Sequence, residues 1–284
     1  MTNIAFQGQA GAYSDLICRV SYPEMTTLPC ETFEAAIDAV HNGSAALAML
    51  PPENSIAGRV ADMHALLPAS GLFIVAEKFL RIEHCLLAPP GATLAGIKRI
   101  HSHPVALGQV RDLIRELNAT TVTEYDTSGA AEIIAQINNP EDAAIASSLA
   151  GELHGLTILR RNVEDAAHNT TRFYVLARAP LTLPPDAPDL MTTFVFRVRN
   201  VPAALYKALG GFATNNVNMT KLESYMVNGT FTATQFLAEV DGHPDQPSLK
   251  LALEELTFFS SEIKILGTYP ADPFRLAQRI AEGK

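Results

Sequence analysis

The chain has 284 residues, enough for about two domains. Its 21 Lys and Arg stand against 30 Asp and Glu, a formal charge of −9, which argues against non-specific binding to nucleic acid or to an anionic membrane. An anionic ligand must therefore be met by local potential, from one or two Arg and from helix N-termini.

No apolar run approaches the ~20 residues of a membrane-spanning helix. The start, Met-Thr-Asn-Ile-Ala-Phe, lacks the basic and apolar regions of a signal peptide. The three cysteines, Cys18, Cys30 and Cys85, do not suggest a disulfide framework. A reducing cytoplasm is the expected compartment.

Taken in chain order, one pattern recurs up to about residue 178. Short apolar strands run into polar junctions and then into amphipathic helices. Ile4–Phe6 leads into Gly8-Gln-Ala-Gly-Ala-Tyr-Ser14, and Ala45–Leu50 into Pro51-Pro-Glu-Asn-Ser55. Arg99–His101 leads into Ser102-His-Pro104 and a helix with Leu107, Val110, Leu113, Ile114 and Leu117 on its apolar positions. Val122–Tyr125 leads into Asp126-Thr-Ser-Gly129 and the helix Ala130–Ile137, and Ala143–Ala146 into Ser147-Ser148. This alternation predicts an α/β protein.

Ser, Thr, Asn, Asp and Gly at each junction are the residues of helix N-caps, and capping alone accounts for any single one. Five together predict more. In open α/β sheets the strand ends share one edge, where ligands meet helix N-termini.

Ala179–Pro188 holds four prolines in ten residues and reads as a linker. Beyond it, a strand at Thr192–Val198, a helix at Ala203–Thr214, strands at Asn218–Val227 and Gly229–Val240 around an Asn228-Gly229 turn, a helix at Gln246–Phe259 and a strand at Ile263–Tyr269 give the order βαββαβ, a ferredoxin-like module. The tail from Pro273 is expected to form a short helix.

Gly8-x-x-Gly11 does not match the dinucleotide fingerprint, and His101-x-His103 lacks further metal-ligand spacing. The densest polar stretch is Asn162–Phe173, where Asn169, Thr170, Thr171, Arg172 and Phe173 run into a strand. Arg172 there is either a bidentate carboxylate clamp or a solvated turn residue.

Gly8–Ser14, Pro52-Glu-Asn-Ser55 with Gly58 and Val60, Ser102-His-Pro with Ala106, Leu107 and Gln109, Asp126-Thr127 with Ala130 and Ala131, and Asn169-x-Thr171-Arg172-Phe173 stand in one order. In these segments the chain resembles the bacterial prephenate dehydratases along nearly its whole length.

The resemblance implies a fold like the type II periplasmic binding proteins. Residues 1–180 would be the catalytic domain, with one lobe of about 1–78 plus 165–180 and another of about 79–164. A linker at 181–190, an ACT regulatory domain at 191–270 and a tail at 271–284 would follow. The implied reaction is decarboxylative dehydration of prephenate to phenylpyruvate, with no cofactor and no metal.

By the same resemblance Thr171 is the catalytic residue, assisting departure of the ring hydroxyl. Arg172 would grip the pyruvyl carboxylate and Phe173 would wall the ring. Asn54, Ser55, Ser102, Gln109, Thr127 and Asn169 would supply neutral donors, with Ser14 a weaker candidate. The effector site would use Asn200, Pro202, Ala203, Ala204, Leu205, Asn218, Met219, Leu222, Glu223 and Ser224, with L-phenylalanine as effector and a homodimer or homotetramer as assembly. Two departures stand out: Ala203 replaces a family Gly, and Glu223-Ser-Tyr-Met226 replaces Glu-Ser-Arg-Pro. Arogenate dehydratase is the alternative activity, and a non-catalytic effector-binding protein on the same scaffold the alternative class.

Overall fold

The computed structural model describes residues 2–199, 201–226 and 233–281. The chain forms two compact units. One comprises Met1–Val60 and Lys78–Phe173, the other Ala61–Glu77 and Tyr174–Lys284.

The first unit opens with β1 (Asn3–Gln7), α1 (Tyr13–Ser21), β2 (Thr26–Cys30), α2 (Phe33–His41), β3 (Leu47–Asn54) and the short β4 (Gly58–Arg59). The strands β1, β2 and β3 pair in parallel. Ile4, Ala5 and Phe6 have no exposed surface, as expected of a continuous apolar strand in a sheet buried on both faces. Thr32 starts α2 by accepting the N–H of Ala35 at 3.1 Å.

After α3 (Ala61–Ala69) comes β5 (Phe73–Arg81), which leads into a second sheet. That sheet is built from β6 (Cys85–Ala88), β7 (Arg99–Ser102), α4 (Pro104–Leu107), α5 (Arg111–Leu117), β8 (Thr120–Thr123), α6 (Thr127–Ile137), β9 (Asp142–Ala146), α7 (Ser148–Leu153) and β10 (Thr157–Arg160). Its order is β10-β6-β9-β7-β8. The period of two along a strand is visible in its packing. Leu86, Ala88, Ala143 and Ile145 enter one core, while Cys85, Leu87, Ala144 and Ala146 enter the other.

The chain returns to the first sheet as β11 (Thr170–Ala177), giving the order β2-β1-β3-β11-β5 with β4 beside β3. The two sheets are thus joined by two crossings, β5 to β6 and β10 to β11.

The single helix expected after Pro104 is two helices. Gly108–Val110 interrupts it, and the Asp165 carboxylate accepts the N–H groups of Arg111 and Asp112 at 2.9 and 3.1 Å, which starts α5 afresh. A side chain more than fifty residues away made this break, so local periodicity did not carry it.

The second unit contains β12 (Leu190–Val198), α8 (Ala204–Thr214), β13 (Met219–Met226), β14 (Ala233–Asp241), α9 (Pro247–Phe259), β15 (Ser260–Pro270) and α10 (Pro273–Ala281). The sheet order β13-β14-β12-β15, with its antiparallel pairs, is the ferredoxin-like arrangement. The expected Asn228-Gly229 turn lies outside the described residues. Phe194, Phe196, Phe212 and Phe236 build the core between sheet and helices, with Phe194 stacked on Phe212 at 5.8 Å and Phe196 on Phe236 at 5.3 Å.

The same unit takes in α3 and the first part of β5. Lys264 Nζ donates to the carbonyl of Pro68 at 2.6 Å. Gly267 faces Ile74 so closely that a Cβ there would meet the Ile74 carbonyl at 2.1 Å. Arg275 of α10 forms two bonds to the buried Glu77, at 2.7 and 2.8 Å, and lies 3.6 Å from the buried Glu239, which also accepts the Tyr174 hydroxyl.

Candidate active site

A cavity of about 290 Å³ lies between the two lobes of the first unit, at the low end for small-molecule sites. Successive side chains of a strand point to opposite faces. In β11, Thr171 and Phe173 line this cavity, while Arg172 is absent from its wall. Arg172 is buried instead, with Nη1 2.9 Å from Glu53 Oε1 and its guanidinium 5.9 Å from the Phe79 ring centroid. The cation assigned by resemblance to a substrate carboxylate thus has a protein carboxylate beside it.

Asn54, at the end of β3, has its orientation set by the backbone. Its Oδ1 accepts the N–H groups of Ile56 and Ala57 at 2.9 and 2.7 Å. A backbone N–H can only donate, so Nδ2 must face the other way. There it donates to Thr171 Oγ1 at 2.9 Å and to Asn169 Oδ1 at 2.8 Å. Asn169 is therefore turned with its own Nδ2 toward Gln109 Oε1, at 3.0 Å. Two outcomes follow at the cavity. Thr171 Oγ has a lone pair engaged by Asn54 and keeps its proton to offer. Gln109, its Oε1 engaged, keeps its N–H donors.

Ser55 holds the segment ahead of β11 in place. Its hydroxyl donates to His168 O and accepts from Thr170 N, each at 2.9 Å, and its own N–H donates to Thr170 O at 2.8 Å. Ser102 is fully buried and donates to the carbonyl of Ile145 at 2.7 Å, outside the wall. Ser14 and Thr127 line the cavity at the starts of α1 and α6. No side chain caps α1, so its first N–H groups are offered there, whereas Asp126 caps α6 through Gly129 N at 2.6 Å.

Ala10 and Gly11 meet the other lobe directly: Ser128 Oγ and Ser147 Oγ donate to their carbonyls, each at 2.5 Å. Gly11 has φ +87°, and a Cβ on it would sit 2.9 Å from Ala150 Cα, so only glycine suits this approach.

Among the described residues of the wall there is no Lys or Arg. An anion here would be held by N–H and O–H donors in a partly apolar setting, where such donors act strongly. Among the described residues no group of three or more His, Cys, Asp or Glu could hold a metal ion, and no helix is long and apolar enough to cross a membrane.

Sequence reasoning missed Tyr13, His84 and His103, all of which line the cavity. Tyr13 and His103 lay inside motifs already singled out. His84 stands in the turn between β5 and β6, where no spacing or capping pattern marks it. Burial pushes the Tyr13 hydroxyl well above its ordinary pKa and the His84 imidazole below its own, the latter opposed by the Gln109 bond.

Of the expected effector residues, Asn200 lies outside the described residues. Pro202 and Ala203 precede α8, Ala204 and Leu205 begin it, and Ala203 has φ +62°. Asn218 Nδ2 donates to Asp241 Oδ2 at 2.8 Å. Met219, Leu222, Glu223 and Ser224 lie on β13, with Glu223 carboxylate oxygens 2.9 Å from His64 Nε2 and 3.4 Å from Lys221 Nζ.

Fold and site define a class: a two-lobed α/β half with a ligand-sized cavity between the lobes, in a chain that also carries a βαββαβ module. The chain belongs to the prephenate dehydratase family, whose model matches residues 4–181.

A bifunctional N-acyl-homoserine lactone acylase/prephenate dehydratase from Komagataeibacter europaeus is 64% identical over 272 residues, covering 96% of this chain and 97% of that one. The chloroplastic arogenate dehydratase/prephenate dehydratase 2 of Arabidopsis thaliana is 35% identical over 278 residues, 95% of this chain and 73% of that protein. A crystal structure of prephenate dehydratase from Arthrobacter aurescens, in complex with L-Phe, superposes with a TM-score of 0.85 at 28% identity, covering 99% of this chain and 98% of that one.

Proposed function

We propose that this chain catalyses the decarboxylative dehydration of prephenate to phenylpyruvate. The observation that carries the reading is the placement of Thr171 and Phe173 on one cavity wall, with Thr171 oriented by Asn54 as a donor.

Prephenate at neutral pH is a dianion, and the balanced step consumes one proton. The bond from ring to carboxylate breaks, its electron pair completes the aromatic ring, and carbon dioxide leaves. The ring C–O bond breaks on the opposite side, and the departing oxygen takes up the proton to become water. Thr171 Oγ–H donates a hydrogen bond to that oxygen as negative charge grows on it. Such a donor is worth about 10²–10³-fold. Asn54 cannot replace a lost proton, since an amide N–H is not an acid near pH 7. Thr171 therefore works as a hydrogen-bond donor, and solvent supplies the proton. Gln109 and the first N–H groups of α1 meet the carboxylates, and Phe173 walls the ring.

The C-terminal module is an ACT domain that senses L-phenylalanine in this reading. The complex of the Arthrobacter aurescens enzyme with L-Phe supports it.

A second activity, hydrolysis of an N-acyl-homoserine lactone, is favoured by the named activities of the Komagataeibacter europaeus relative. The apolar wall of Val60, Ile82, Val105 and Ala106 suits an acyl chain.

The test is one panel on the purified protein: prephenate and arogenate followed as phenylpyruvate and phenylalanine, and acyl-homoserine lactone followed as free homoserine lactone. Prephenate with the highest kcat/KM supports the reading. A preference for arogenate moves the assignment to that substrate, and release of homoserine lactone adds the second activity.

A further inference from the structure

The hydrogen bonds around Gln109 continue past it. Gln109 Oε1, already accepting from Asn169, lies 2.8 Å from His84 Nε2. A carbonyl oxygen accepts only, so Nε2 carries a proton. On the other side of the ring, Nδ1 lies 2.6 Å from the Tyr13 hydroxyl.

Tyr13 has one proton and two acceptors within reach, Nδ1 and the carbonyl of Glu83 at 3.2 Å. Were it given to Glu83, Nδ1 would need its own proton and the ring would be a buried cation. His84 is 2% exposed. The Glu164 carboxylate is bonded to the His84 backbone N–H at 2.9 Å and to Arg81 Nη2 at 3.4 Å, so it is already engaged. The Tyr13 proton therefore goes to Nδ1, the closer acceptor. Two branches then converge on Gln109 Oε1: one from Tyr13 through His84, and one from the two backbone N–H groups on Asn54 through Asn169.

We propose that His84 is a positioning residue of this site: held as the Nε2–H tautomer by Tyr13, it donates to Gln109 Oε1 beside Asn169 and so holds the Gln109 amide N–H groups toward the substrate, next to the Thr171 hydroxyl that Asn54 orients. A flipped Gln109 would put an acceptor against an anion. It would also set its NH₂ against both Asn169 Nδ2 and His84 Nε2–H, donor against donor. The assignment rests on the prephenate reading only for the identity of the anion.

The test has two arms. Long-range ¹H–¹⁵N spectra of protein labelled in histidine, with the His84 signal identified by its loss in His84→Gln, are expected to show a protonated Nε2 and a bare Nδ1 at neutral pH. An Nδ1–H tautomer or an imidazolium overturns the proposal. In the second arm, His84→Leu is expected to lower kcat/KM for prephenate by about 10- to 100-fold, mainly through KM. His84→Gln, which restores an N–H near Nε2, is expected to recover most of that.

Unchanged kinetics in a folded His84→Leu variant overturns the proposal. Where that variant does not fold, Tyr13→Phe serves in its place, with the expected result a mixed tautomer and a raised KM. Wild-type protein that shows the expected ring pattern but no turnover of prephenate supports the tautomer and overturns the substrate reading, so the two fail separately.

Discussion

Arg172 and Glu53 face each other at 2.9 Å, with Arg172 almost wholly buried and outside the cavity wall that its neighbours Thr171 and Phe173 line. The pair joins β11 to β3, the strands that bring Thr171 and Asn54 together. Removing one partner of such a pair leaves a charge without its counterpart.

Arg172→Met is therefore expected to cost about 3 kcal/mol in unfolding free energy. Thermal or denaturant unfolding measures it. The KM for prephenate in the folded fraction is expected to stay within about threefold of wild type, since uniform binding is not what the residue supplies. A large rise in KM with unchanged stability would make Arg172 the carboxylate clamp after all.

Arg275 neutralises two carboxylates that have no solvent to turn to, Glu77 and Glu239, exposed at 1% and 0%. Arg275→Leu is expected to destabilise the chain by about 3–5 kcal/mol. The double change with Glu77→Gln is expected to recover part of that, and denaturant titration of the single and double variants checks both.

His84 gives a pH dependence whose sign is fixed. Burial lowers its folded-state pKa, so the unfolded chain binds the proton more readily. Its contribution to stability is whole above the unfolded value of about 6.5 and is lost as pH falls below it. The melting temperature is expected to drop more steeply between about pH 6.5 and 5 in wild type than in His84→Gln. Equal slopes would contradict it.

Ala203 has a left-handed backbone, which costs a residue with a Cβ about 1–2 kcal/mol. Ala203→Gly removes that strain but adds freedom to the unfolded chain, worth about 0.4–1 kcal/mol the other way. A net gain below about 1 kcal/mol in unfolding free energy is expected. A stronger thermal shift with L-phenylalanine is expected too, because the position ends the loop before α8.

Much of this was legible in the sequence. The run Ile4-Ala-Phe6, the junction at Asp126 and the βαββαβ order are local signals, and local physics carried them into the structure. Thr171 and Phe173 share a wall because a strand alternates, and that same alternation turns Arg172 away. The polarity of Asn54 was not legible, since it depends on two backbone N–H groups in a turn. Nor was His84, whose meaning comes from Gln109 and Tyr13, 25 and 71 residues away. The break before α5 came from Asp165 in the same way.

The most direct test of the central claim is the rate of phenylpyruvate formation from prephenate by wild type, Thr171→Ser and Thr171→Ala. Thr171→Ser keeps the donor and is expected to stay within about tenfold of wild type, whereas Thr171→Ala is expected to fall by about 10²–10³-fold in kcat with its fold intact. Near-normal turnover by a folded Thr171→Ala protein would contradict the account.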